Sequence, residues 1–175
     1  MKPEWQPAGL LCRLGSVFYD TLLVGALLLL LGFAFHLIVD PGRPQGLQRL
    51  GLQLFLTVAT ALYFVLLWSG PSGQTLAMKT WKLHLIRHTD GRRLKRVEAL
   101  RRWLLSLLWL VPGTLLGLIL TRLGPNPAAP MKLWLISHAA GLIAYALLSL
   151  LLPERQFLHD LLGRTRLITR PPSPR

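Results

Sequence analysis

Leu11–Val39 reads LCRLGSVFYDTLLVGALLLLLGFAFHLIV, and the fold turns on this stretch. From Leu14 onward it is too long and too apolar for a helix of a water-soluble core, and it reads as a membrane span. Two charges interrupt the pattern, Arg13 at its start and Asp20 two turns inside. An ionisable group within a span is costly and marks a candidate functional site. Seven residues return to within about 20° of the same helix face, so Arg13 and Asp20 share a stripe about 10 Å apart along the axis. That is too far for an ion pair unless both side chains bend toward each other. Each is expected to find a partner elsewhere in the chain.

Outward from this span, the apolar pattern recurs three times. Leu50–Ser69 is apolar apart from Gln53, Thr57, Thr60 and Tyr63, and Gly70-Pro71-Ser72-Gly73 ends it. Trp103–Leu120 contains Pro112-Gly113, which predicts a kink near mid-span. Leu133–Leu152 stops before Pro153, and its Ala139, Ala140, Gly141 and Ala144 allow close helix contact. Asp40-Pro41-Gly42 stops the first span. That first run, about 25 residues long, exceeds the ~7–15 of a signal-peptide core, and no small-residue cleavage site follows it. With a hydrophobic fraction of 52% in 175 residues, the expectation is a single domain (1–175) of an all-α membrane protein. It is a four-transmembrane-helix bundle with spans at about 14–39, 50–69, 103–120 and 133–152.

The net charge is +13. The basic residues alternate with the spans in blocks, as topology signals and lipid headgroup contacts do, and no nucleic-acid recognition motif accompanies them. The amino tail, the 70–102 loop and the 153–175 tail hold sixteen Lys and Arg, against four in the other two loops. The positive-inside rule then puts both termini and the long loop in the cytoplasm. The single Cys12 excludes an internal disulfide. No metal-ligand cluster, phosphate-binding glycine loop or catalytic carboxylate pair is written in the chain, so no enzyme, cofactor or metal is expected.

Met1–Leu10, with Pro3, Trp5 and Pro7, is expected at the headgroups. In the cytoplasmic loop, Gln74–Thr80 suits a short interfacial helix with Leu76 and Met78 toward lipid. Trp81, Leu83 and Leu85 alternate with Lys82 and His84, and Thr89-Asp90-Gly91 follows. Alternation followed by Asp-Gly is a hairpin signal, with Leu94–Val97 as the returning strand and Thr165–Thr169 as a third. A disordered basic loop on anionic lipid is the alternative. Glu154–Leu162 reads as an amphipathic helix closed by Gly163, with Phe157, Leu158, Leu161 and Leu162 toward the membrane. Asp160 in that helix is on the same side of the bilayer as Arg13, and is the expected partner for it. Trp68, Trp81, Trp103 and Trp134 fall near span ends, as an aromatic belt does.

Arg13 at the opening of the first span, Asp20 within it, and His159-Asp160-Leu161-Leu162-Gly163-Arg164-Thr165 together resemble the RDD family of bacterial membrane proteins. That family is named for one arginine and two aspartates in these settings. Gly73-Gln74-Thr75-Leu76-Ala77-Met78-Lys79 is similar to its Gly-x-Thr-x-Gly-Lys segment after the second span, and Arg101-Arg102 to its basic entry into the third. Ala77-Met78 departs from the glycine before the lysine, and Gly163-Arg164-Thr165 from Ala-Gly-Thr. The resemblance implies Arg13, Asp20 and Asp160 as the site, with Gln74, Thr75, Lys79, His159 and Thr165 as a cytoplasmic motif. It also implies the bacterial plasma (inner) membrane and a role in transport, with cation/proton exchange suggested for some members.

Two readings of the charges stand side by side. In the first, Asp20 trades a proton for a monovalent cation in a low-dielectric setting, and Arg13 and Asp160 set its charge. Four spans are few for a transport path, so this reading expects a homo-oligomer. In the second, the charges tie helices together, and the protein is a scaffold or accessory subunit whose basic face binds anionic lipid or a partner. His36 and His138 read as interfacial or packing histidines.

Overall fold

The computed structural model describes residues 6–39, 45–123 and 130–169. The expectations for residues 1–5, for the Asp40-Pro41-Gly42 stop and for residues 170–175 lie outside them. Four helical stretches are long and apolar enough to cross a membrane. The first two are α1 (Leu10–Ile38) and α2 (Gln45–Ser69). The third stretch is α4 (Arg96–Ser106), a 3₁₀ turn (Leu107–Leu110) and α5 (Val111–Leu123) in succession, and the fourth is α6 (Pro130–Leu151). Two short helices, α3 (Leu76–Thr80) and α7 (Leu158–Leu162), lie at one end of the bundle.

The helices outrun the apolar segments. α2 begins at Gln45 rather than Leu50. α4 begins at Arg96 rather than Trp103, because the Glu98 carboxylate accepts the Lys95 backbone N–H at 2.8 Å and starts the helix ahead of the lipid-facing part. The kink expected at Pro112-Gly113 falls one turn earlier, in the 3₁₀ turn. Proline lacks an N–H and presses on the carbonyl four residues back, here Leu108, so the distortion precedes Pro112. α5 and α6 then pack closely through glycine. A Cβ on Gly113 would sit 2.7 Å from His138 Cα, and one on Gly141 would run into the Gly113 backbone. Of the small residues expected there, Gly141 is buried at that contact, whereas Ala139, Ala140 and Ala144 are exposed.

A three-stranded antiparallel sheet of β1 (Gln6–Pro7), β2 (Leu83–Arg87) and β3 (Thr165–Thr169) joins the amino-terminal segment, the 70–102 loop and the carboxyl tail at one end of the molecule, the sheet end. The order is β1-β3-β2, with Leu85 opposite Leu167 and Pro7 opposite Ile168. The strand facing β2 is therefore β3, and Leu94–Val97 is not a returning strand. The Asp90-Gly91 turn is present, with Gly91 at φ 67° and the Arg87 N–H on the Arg92 carbonyl at 2.8 Å. The chain leaves it into α4 because the helix start at Lys95 comes first.

Between the sheet and the bases of α2 and α4 lies a small water-excluding core of Ala8, Trp68, Met78, Leu83, Leu85, Leu94, Ala99, Trp103 and Leu167. Further expectations are corrected at this end of the molecule. Met78 packs inward, and of the two residues expected toward lipid only Leu76 is exposed. Trp68 and Trp103 are core residues rather than belt residues, since a ring at a span end can cover either lipid or this core. The helix expected over Glu154–Leu162 is a 3₁₀ turn (Pro153–Arg155) followed by α7, interrupted by positive φ at Glu154 and Arg155. Phe157 is buried against Trp109 and His159 instead of facing lipid.

Candidate functional site

The buried stripe of α1 consists of Arg13, Ser16, Asp20 and Val24, spaced at three and four residues, as one helix face requires. Asp20 finds its partners on α2 and at the start of α3. The Thr75 hydroxyl donates to Oδ2 at 2.7 Å, and the Tyr63 hydroxyl donates to Oδ1 at 3.3 Å. Thr75 is held in place from three sides. Gly73, at φ 62°, turns the chain after α2. Gln74 Nε2 donates to the Leu83 carbonyl at 2.6 Å, tying the turn to β2. Thr75 itself caps α3, its oxygen accepting the Met78 N–H at 3.1 Å. Among the described residues, Asp20 has no basic side chain within ion-pair distance.

Arg13 is 1% exposed. Its Nη1 donates to the Arg155 carbonyl, and its guanidinium lies 5.8 Å from the centre of the Phe157 ring. Its Nε is buried without a partner among the described residues. The expected Arg13–Asp160 pair does not form. Asp160, fully buried, instead meets Arg102 of α4, whose Nη2 and Nε lie 2.7 and 2.9 Å from Oδ1. Arg102 reaches it directly because α4 packs on α7, while the Arg13 guanidinium is turned to the Arg155 backbone. The other side of Arg102 rests 4.2 Å from the Trp68 ring.

Thr165 adds a 3.1 Å hydrogen bond to Asp160 Oδ1, so this predicted residue does join the site. Burial works against the Asp160 charge, but Arg102 beside it, with His159 and Thr165, holds the carboxyl below its usual range. His159 is pushed down to about 4 by burial. The Trp109 indole N–H donates to its Nδ1 at 3.0 Å, with the Tyr145 hydroxyl 3.1 Å from the same nitrogen, and its Nε2 lies 3.4 Å from Arg102 Nη2. His159 is thus a neutral structural imidazole next to the Arg102–Asp160 pair. Lys79 is exposed, unlike the buried Gln74 and Thr75 of the same motif. His138 spends its ring nitrogens on the Trp134 carbonyl and Thr114 in its own helix pair.

Tyr63, Arg102, Trp109 and Tyr145 were not foreseen as site residues. Tyr63 had a signal in the sequence. With Thr60 it forms one of the few polar interruptions of α2, at helical spacing. Arg102 was hidden beside Arg101, which is exposed and donates to the Gly163 carbonyl at 2.7 Å.

Arg13, Asp20 and Arg102 line one cavity of about 380 Å³ between α1, α2 and the α4–α5 stretch, and of these only Arg102 is in an ion pair. Its walls include Val17, Val24, Leu28, Phe64, Trp109 and Phe157. No group of three His, Cys, Asp or Glu side chains among the described residues is placed to hold a metal ion. Chemically, the cavity offers two guanidinium residues, a carboxylate and hydroxyls within an apolar and aromatic lining.

Comparison with curated proteins and with solved structures finds no match. The model of the RDD family matches residues 7–164, a stretch that includes Arg13, Asp20 and Asp160 and nearly all of the chain. With four helices long and apolar enough to span a bilayer, the protein is a membrane protein that belongs to the RDD family.

Proposed function

We propose that the protein is a small membrane exchanger in which Asp20 carries a proton or a monovalent cation. The contrast between its two buried carboxylates supports the reading. Asp160 is clamped by Arg102 and does the work of a structural charge. Asp20 is hydrogen-bonded only by hydroxyls and lines a cavity, and the basic group acting on it, Arg102, is already clamped to Asp160, so a proton or a cation can balance its charge. A carboxylate serving only to tie helices together would be expected in the first arrangement.

The sheet end gathers the three basic segments, which by the positive-inside rule supports a cytoplasmic sheet end in a bacterial inner membrane. Exposed Lys79, Lys82, Arg92, Arg93 and Lys95 suit anionic headgroups there. The protein acts as a homo-oligomer in this reading, since four spans are few for a path.

The test is proton and alkali-cation flux in liposomes, native against Asp20→Asn. Cation-dependent proton movement in the native protein and its loss in a folded Asp20→Asn protein is the expected result. Normal flux in Asp20→Asn overturns the mechanism. A native protein without flux, recovered with a steady partner, turns the assignment to an accessory scaffold.

A further inference from the structure

We propose that the cavity between α1, α2 and the α4–α5 stretch takes a zwitterionic ligand, its anionic group on Arg13 and its cationic group on Asp20. The inference rests on Asp20 as the working carboxylate of the exchanger and names the class of its substrate.

The first observation is a pair of opposite charges in one cavity, neither with an ion-pair partner among the described residues. Buried charges are normally paired in contact. Here Arg102, in the same lining but clamped to Asp160, acts on Asp20 only from beyond ion-pair distance, as Asp160 and Glu154 do on Arg13. The Arg13 guanidinium is 1% exposed and keeps an unpartnered Nε. Asp20 is 8% exposed, and a carboxylate has lone pairs to spare beyond the two hydroxyls it accepts.

The second observation is the spacing. Arg13 and Asp20 are about 10 Å apart along α1. A ligand reaching both side chains must therefore carry its two charges on separate atoms of one chain. 4-Aminobutyrate and the phosphoethanolamine head of a phospholipid are ligands of that kind. Ser16 lies between the two ends on the same face. The Phe64 and Trp109 rings, also in the lining, suit an alkylammonium. A ligand neutral overall enters an apolar cavity at less cost than a lone ion.

The experiment follows thermal unfolding of the purified full chain, read by tryptophan fluorescence. In detergent, 4-aminobutyrate is compared with butyrate and with butylamine. In nanodiscs of phosphatidylglycerol, phosphatidylethanolamine is titrated in. A saturable rise in the unfolding midpoint with 4-aminobutyrate, and none with either single-charge analogue, supports a free zwitterion. A response confined to phosphatidylethanolamine supports a lipid headgroup as the source. Arg13→Gln and Asp20→Asn should each weaken that binding roughly tenfold or more. Equal effects of the single-charge analogues, no saturable response in either arm, or undiminished binding by a folded Arg13→Gln protein overturns the inference. Should both variants fail to fold, the analogue comparison on the native protein decides alone. Proton-coupled cation flux without zwitterion binding overturns this inference and leaves the exchanger standing. Binding without flux does the reverse.

Discussion

Arg102 and Asp160 form a buried ion pair, with Nη2 and Nε 2.7 and 2.9 Å from one carboxylate oxygen and 7% and 0% of the two side chains exposed. It joins the head of the third span to the segment after the fourth, 58 residues further along the chain. Asp160→Ala leaves the guanidinium buried and unpaired, and should cost about 3–5 kcal/mol. Replacing both partners, Asp160→Ala with Arg102→Met, should recover much of that loss. Denaturant unfolding in detergent measures it, and a double variant no better than the single one shows that the charge is not what matters.

The neutral imidazole of His159 makes stability depend on pH. Its folded value is held near 4 by burial, below the ordinary 6.5. Its share of stability is therefore complete above pH 6.5. It declines as pH falls from there toward about 4, because the unfolded chain takes up the proton first. Unfolding midpoints collected between pH 7.5 and 4 should show this slope, and His159→Phe should flatten it. Asp160, also held low, adds its own loss only in stronger acid, below the ordinary carboxylate range.

Thr75 serves Asp20 and α3 with one hydroxyl, donating at 2.7 Å and accepting at 3.1 Å. Thr75→Val keeps the shape and removes both bonds. The lost cap alone should destabilise by about 1–2 kcal/mol. Flux per folded molecule should fall as well, while Thr75→Ser should restore both. Unfolding curves and liposome assays on the same preparations separate the two effects.

Close approach of α5 and α6 depends on Gly141. Gly141→Ala should destabilise by about 1–3 kcal/mol, because its methyl meets backbone that cannot move aside cheaply. Gly32→Ala, at a site with nothing within 4 Å, is the control and should be neutral or slightly stabilising. Equal behaviour of the two variants in thermal unfolding would argue against the glycine contact.

The spans were legible because apolar length is a local property, and Arg13 and Asp20 stood out as charges within one. Pairings were less legible. Arg13 and Arg102 are both expected on the side of the bilayer that holds Asp160, and only packing of α4 on α7 decides between them. The Asp90-Gly91 signal correctly marked a turn, but a local turn signal cannot show that the partner of β2 lies beyond two further spans. Trp68 and Met78 were misplaced for a related reason. The same apolar side chain suits lipid or a core, and its sequence position near a span end does not distinguish them.

β3 is the middle strand of its sheet, yet it is the last of the three to leave the ribosome. Until it arrives, β1 and β2 have no strand to pair with, although all four long helices have already been synthesised. Assembly of this membrane protein therefore finishes outside the lipid, when one late segment threads between two early ones. A nascent chain halted before Thr165 would carry its full set of spans and still present open strand edges to a protease or a chaperone.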